Sequence, residues 1–124
     1  MVGKKSSVVS YKDLVVWQRS IELVVAVYEL TEQFPPEEKF GLASQMRRAA
    51  ISVPSNIAEG KSRRTKKDYT HFMRIAYGSA SELETQIIVC KKLPFGKQLD
   101  YNVADGFLEE VLKMLNVMTS KLTT

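Results

Sequence analysis

Four stretches of apolar residues recur at alternating steps of three and four, and proline or glycine punctuates the chain between them. Leu14, Trp17, Ile21, Val24, Tyr28 and Thr31 form the first stripe. Leu42, Met46, Ala49, Val53 and Ile57 form the second. Tyr69, Met73, Ala76, Ala80, Leu83, Ile87 and Cys90 form the third, and Ala104, Leu108, Val111, Leu115, Met118 and Leu122 the fourth. That spacing keeps each set on one face of an α-helix. Pro35-Pro36, Gly60 and Pro94-Phe95-Gly96 fall in the gaps. The expected fold is all-α: an antiparallel up-down-up-down four-helix bundle with helices over about 11–33, 37–59, 65–93 and 101–122, in one domain.

Local signals sharpen the boundaries. Ser10 with Asp13 reads as a capping box opening the first helix, with Val9 and Leu14 as its hydrophobic staple. Pro36-Glu37-Glu38 places a proline and two acids in the first turn of the second. Pro54 lies inside that helix, and a kink is expected there because the ring removes one backbone bond to Ala50. Gly60 is expected to stop the helix in a left-handed conformation. Thr65 with Asp68 caps the third.

Composition excludes several function classes. The 124 residues are 44% apolar and 26% charged, which rules out a disordered chain. One cysteine and one histidine cannot make a disulfide framework, a cysteine zinc cluster or a paired-histidine metal site. Glu59, Glu82 and Glu84 do not make a hard-metal site, because no facing carboxylate set accompanies them at helical spacing. No cofactor, metal or catalytic residue is expected. His71 has neither a nucleophile nor an orienting partner that the sequence reveals, so a non-enzymatic protein is expected. No apolar run approaches the ~20 residues of a membrane helix. The single thiol and the lack of a signal-peptide pattern lead to an expectation of a cytoplasmic protein.

Charge is distributed unevenly. Between Arg47 and Arg74 there are eight basic residues and two acids, Glu59 and Asp68, in a chain whose net charge is only +4. Lys67, His71 and Arg74 share an arc opposite Tyr69, Met73 and Ala76. With Arg47, Lys61, Arg63, Arg64 and Lys66 they form a candidate nucleic-acid surface that would neutralise phosphates without reading sequence. A solvated corner, or a site for an acidic protein partner, fits the same charges. Structural roles are expected for Pro54, Ser55 and Asn56, with the Asn56 amide bonded to the carbonyl that Pro54 frees. Glu84 is expected to pair with Arg48, and Glu82 to sit near His71 and Arg74. Gly78 and Ser79 are expected at a close helix approach. Val15, Val16, Val25 and Val27, with Phe107, Met114 and Val117, lie off the main seams. Either the core-facing surface is broad, or a second apolar face packs against other copies.

Specific strings carry a resemblance. Glu38-Lys39-Phe40-Gly41-Leu42, Ser44 to Ala50, Ser52 to Gly60, Ile75 to Ser79 and Glu82 to Gln86 resemble the bacterial 23S rRNA intervening-sequence proteins, also called S23 ribosomal proteins. The accessory variability protein of diversity-generating retroelements is similar and more distant. The likeness spans roughly Tyr11 to Leu122. It implies an antiparallel four-helix bundle that assembles as a homopentamer, and it implies no enzymatic activity. In the retroelement relatives a basic surface engages nucleic acid and a reverse transcriptase. The expected function is therefore a self-assembling bundle that binds RNA or DNA through its basic corner. The rival expectation is a homo-oligomeric scaffold for an acidic protein.

Overall fold

The computed structural model describes residues 10–123, with side chains through Ser120. Its main elements are α1 (Val15–Thr31), α2 (Leu42–Lys61), α3 (Lys66–Lys92) and α4 (Asn102–Thr123). Each helix packs on its neighbours in sequence, and α4 closes the ring against α1. The diagonal pairs stay apart among the described residues. Short connections and this ring of contacts give the up-down-up-down bundle.

Two helix starts differ from the sequence expectation. The capping box forms, with Ser10 Oγ accepting from Lys12 N at 3.1 Å and Asp13 Oδ2 accepting from Ser10 N at 3.3 Å. It caps a 3-10 turn, Tyr11–Asp13, and Leu14 is extended before α1 begins at Val15. Likewise Pro36–Glu38 is a 3-10 turn, and α2 starts at Leu42. In both places one tight turn forms first, and the chain then re-aims before the long helix. Val9, the other half of the expected staple, lies outside the described residues, as does the side chain of Leu122.

The core follows the expected stripes in α2, α3 and α4. Met46, Val53, Ile57, Met73, Leu83, Ile87, Val111 and Leu115 are all fully buried. Each large aliphatic side chain buried this way contributes about 1.5–3 kcal/mol. In α1 the inward face is instead Val16, Ser20, Leu23, Val27 and Leu30. The expected seam of Trp17, Ile21 and Val24 is half-buried along one flank, with Tyr28 at its end exposed. Trp17 meets Tyr11 edge-to-face with ring centres 5.3 Å apart.

Gly60 serves a different purpose from the expected one. It lies inside α2, buried, without a positive φ. A Cβ there would sit 2.9 Å from Phe72 Cβ and 2.9 Å from Met73 Cε, so its lack of a side chain lets α2 and α3 converge. Gly96, in the α3–α4 turn, is fixed more tightly, since a Cβ there would lie 2.0 Å from the Cys90 carbonyl oxygen. Gly78 has open space around it, so the close approach expected there does not occur. Thr65 caps α3 as expected, its hydroxyl accepting from Asp68 N at 3.1 Å.

The buried thiol of Cys90 lies 3.5 Å from Met46 Sδ. Burial first, and then the negative charge of Glu38, push its pKa up to about 11. It therefore remains a protonated apolar side chain.

Candidate nucleic-acid interface

The basic corner is built by the end of α2, a four-residue connection and the first turns of α3. Ser62 Oγ donates to the Glu59 carbonyl at 2.7 Å, and Ser62 N reaches back to Ala58 and Glu59. These bonds end α2 without a left-handed residue. Arg63 pairs with Glu59 one turn earlier and lies over the Phe72 ring, 4.7 Å from its centre. That contact anchors the connection to α3 and leaves Arg63 partly neutralised.

The remaining cations are less constrained. Arg64, Lys66, Lys67, His71 and Arg74 are exposed, and Lys61 is half-buried at the last turn of α2. Among the described residues none of these six side chains has a carboxylate within salt-bridge distance. Lys66 and Lys67 occupy the first turn of α3, where the helix dipole is positive and disfavours cations. Folding alone does not call for lysines at that position. An anion would be attracted by the lysines and the helix N-terminus together.

Arg47 is not part of this corner. It lies 14 residues before Lys61, about 21 Å away along α2. Its Nε donates to Thr31 Oγ1 at 2.7 Å, its guanidinium lies 4.4 Å from the centre of the Tyr28 ring, and it approaches the Tyr28 carbonyl at 3.4 Å. It therefore closes the C-terminal end of α1. Arg48 sits at the same height but on the opposite flank of α2, toward α3. The expected Arg48–Glu84 pair does not form. Glu82 shares a groove with Arg48, whereas Glu84 faces α4 beside Lys91 and Lys113. Helix rotation explains the exchange, because two residues along α3 turn a side chain by about 200°.

The polar motif residues of α2 lock the hairpin. Ser52 Oγ meets Ser79 Oγ across the helices at 2.8 Å. Asn56 Nδ2 donates to the Ser52 carbonyl at 2.8 Å and to Ser52 Oγ at 2.9 Å. Its backbone partner is thus Ser52, and not the Ala50 carbonyl that Pro54 leaves free. Pro54 is buried with α2 running through it, and Ser55 is exposed. Glu59 holds Arg63 as described. Gln86, which carries no role in the sequence expectation, is buried and donates Nε2 to Glu82 Oε2 at 3.3 Å. A glutamine on the apolar α3 stripe, four residues after an acid, was the available signal.

Exposed apolar side chains form the other prominent surface. Val15, Val25, Ile51, Val103 and Val117 are each 42–61% exposed. At one end of the bundle Leu14, Val15 and Val16 of the first helical segment face Met114, Val117 and Met118 of α4 across an apolar groove of about 440 Å³. Among the described residues no helix is long and apolar enough to cross a membrane.

The family model described as 23S rRNA-intervening sequence protein matches residues 12–117. Among solved structures, the chain is similar to a protein of unknown function from the S23 ribosomal protein family of Bacteroides thetaiotaomicron VPI-5482. The two superimpose with a TM-score of 0.73 at 22% identity, over 85% of this chain and 98% of the other. At that identity the likeness is one of fold. A comparison with curated proteins finds no match.

Proposed function

The chain belongs to the 23S rRNA-intervening sequence protein family, and we propose that it is a non-enzymatic, self-assembling bundle of the bacterial cytoplasm that binds nucleic acid through the α2–α3 corner. The observation that carries this reading is the set of exposed cations without acidic partners, Arg64, Lys66, Lys67 and Arg74, two of them at a helix end that disfavours them. Six cations face only Glu59 and Asp68 between residues 59 and 74. Contacts of this kind grip the backbone and carry no sequence information.

Self-assembly multiplies the effect. The aliphatic side chains exposed on α1 and α4 support burial against further copies. In a homopentamer, the state implied by the family resemblance, five corners act together, and a polyanion touching several is held far more tightly than by one. Light scattering is expected to give a mass of about 70 kDa for a closed ring of the 14.0-kDa chain. A 14-kDa particle would remove the oligomer from the reading.

Binding to labelled single-stranded RNA and DNA at several salt concentrations tests the corner. Five phosphate contacts give a slope of log affinity against log salt of roughly −3.5. Replacing Arg64, Lys66 and Lys67 together by Glu is expected to abolish binding at moderate salt without lowering the melting temperature, since acids suit the first turn of α3. A variant that binds as well as the parent sinks the proposal. A protein partner that persists in nuclease-treated lysate and needs the same three residues would favour the acidic-partner scaffold instead.

A further inference from the structure

The outer face of the α2–α3 hairpin carries a polar groove of about 250 Å³, lined by Gln45, Arg48, Ala49, Ser52, Ser79 and Glu82. That lies just below the roughly 300 Å³ at which small-molecule clefts begin, the scale of a single ring system. One wall carries the guanidinium of Arg48 and the other the carboxylate of Glu82. Both side chains are exposed, and they do not pair with each other. Arg48 makes no hydrogen bond among the described residues, so its donors are free. Glu82 accepts one bond, from Gln86, whose own buried Oε1 has no donor. A carboxylate has about four acceptor positions, so most of Glu82 remains available. The Ser52–Ser79 hydroxyl bridge holds the two walls at a fixed separation.

We propose that this groove takes the edge of an unstacked guanine from a single-stranded nucleic acid whose backbone lies on the basic corner; the inference rests on the nucleic-acid reading above. Guanine alone among the common bases presents two adjacent donors, N1–H and N2–H, beside an acceptor, O6. A carboxylate accepts two parallel donors, as it does from arginine. Arginine is the usual donor to O6 and N7. Uracil presents one donor between two acceptors and sets a carbonyl against Glu82. Adenine and cytosine each offer a single exocyclic amine there. Unstacked bases are the form in which these edges are accessible, which selects single strands over duplex. Glu82 lies eleven residues beyond His71, about 16.5 Å along α3 and only about 20° around it, so this wall of the groove shares the outward face that carries part of the cationic corner.

The test compares three labelled pentaribonucleotides by fluorescence anisotropy at low salt. All are uridine except at the centre, which is guanine, hypoxanthine or uracil. The guanine oligomer is expected to bind about 5- to 150-fold more tightly than the uracil one, with hypoxanthine, which lacks the N2 amine, between them. Glu82→Gln and Arg48→Ala are each expected to bring guanine down to the uracil level, and Glu82→Gln to leave the salt slope unchanged. Equal affinity for all three RNAs overturns the guanine site and leaves the nucleic-acid reading standing. A preference that survives both variants also overturns it, as does a change of oligomer mass in either, which would make the groove a contact between copies. Failure of every RNA to bind overturns both proposals.

Discussion

The α2–α3 hairpin and the α1–α4 pair are both antiparallel, yet they finish their surfaces differently. In the first, Gly60 lets the backbones converge, and a serine bridge crosses between them. Its outer face carries the exposed cations and the polar groove, alongside exposed Ile51, Ile75, Ile88 and Val89. In the second, branched side chains remain outside, with Val15, Val103 and Val117 each more than half exposed. Among the described residues one ion pair joins these two helices, Arg19 with Glu110 at 3.4 Å; it lies at the surface and contributes little. The hairpin therefore carries the polar groove, lined by Arg48, Ser52, Ser79 and Glu82. The other pair carries the apolar groove between Leu14–Val16 and Met114–Met118.

The largest expected effect breaks the tight side of this comparison. Gly60→Val puts a side chain 2.9 Å or less from Phe72 and Met73, and overpacking of this kind costs about 1–3 kcal/mol. Thermal melting should shift down at every protein concentration, since the damage lies within one chain. An unchanged melting temperature would mean that α2 and α3 are further apart than described.

A smaller effect is expected at Arg47. Arg47→Ala removes the bond to Thr31 and the stacking on Tyr28, a loss of about 1–2 kcal/mol. Nucleic-acid affinity should not follow, because the corner lies at the other end of α2. A variant of full stability and weakened binding would return Arg47 to the interface.

The least change in the fold itself is expected on the open side. Val15→Glu with Val117→Glu alters only exposed positions and should move the stability of one chain by less than about 0.5 kcal/mol per site. Mass by light scattering should nonetheless fall toward the single chain. A double variant that keeps the parent mass would place the interface elsewhere.

The comparison also explains what was legible in the sequence. In α3 and α4 one stripe is apolar without interruption and the off-stripe apolar residues are scattered, so the stripe from Met73 to Cys90 and the stripe from Ala104 to Leu115 are readable directly. In α1 two heptad series compete, one through Trp17, Ile21, Val24 and Tyr28 and one through Val16, Leu23, Val27 and Leu30. Both are apolar, and periodicity has no means of ranking them. The corner was legible because Lys61 to Arg74 are close in the chain. Arg47 and Glu84 were misplaced because their partners depend on how neighbouring helices are rotated, a property of packing and not of spacing. Gly60 was read as a stop because glycine serves both as a terminator and as a spacer, and only the partner helix tells them apart.

Cys90 has a practical corollary. A sulfhydryl sealed at the centre of the bundle and held protonated is invisible to alkylating reagents in the native state. The natural chain is therefore expected to serve as a thiol-free background for labelling. A cysteine placed at an outward position such as Gly78 is expected to take a fluorophore or spin probe by itself, so the spacing between copies in any assembly becomes measurable without altering the interior.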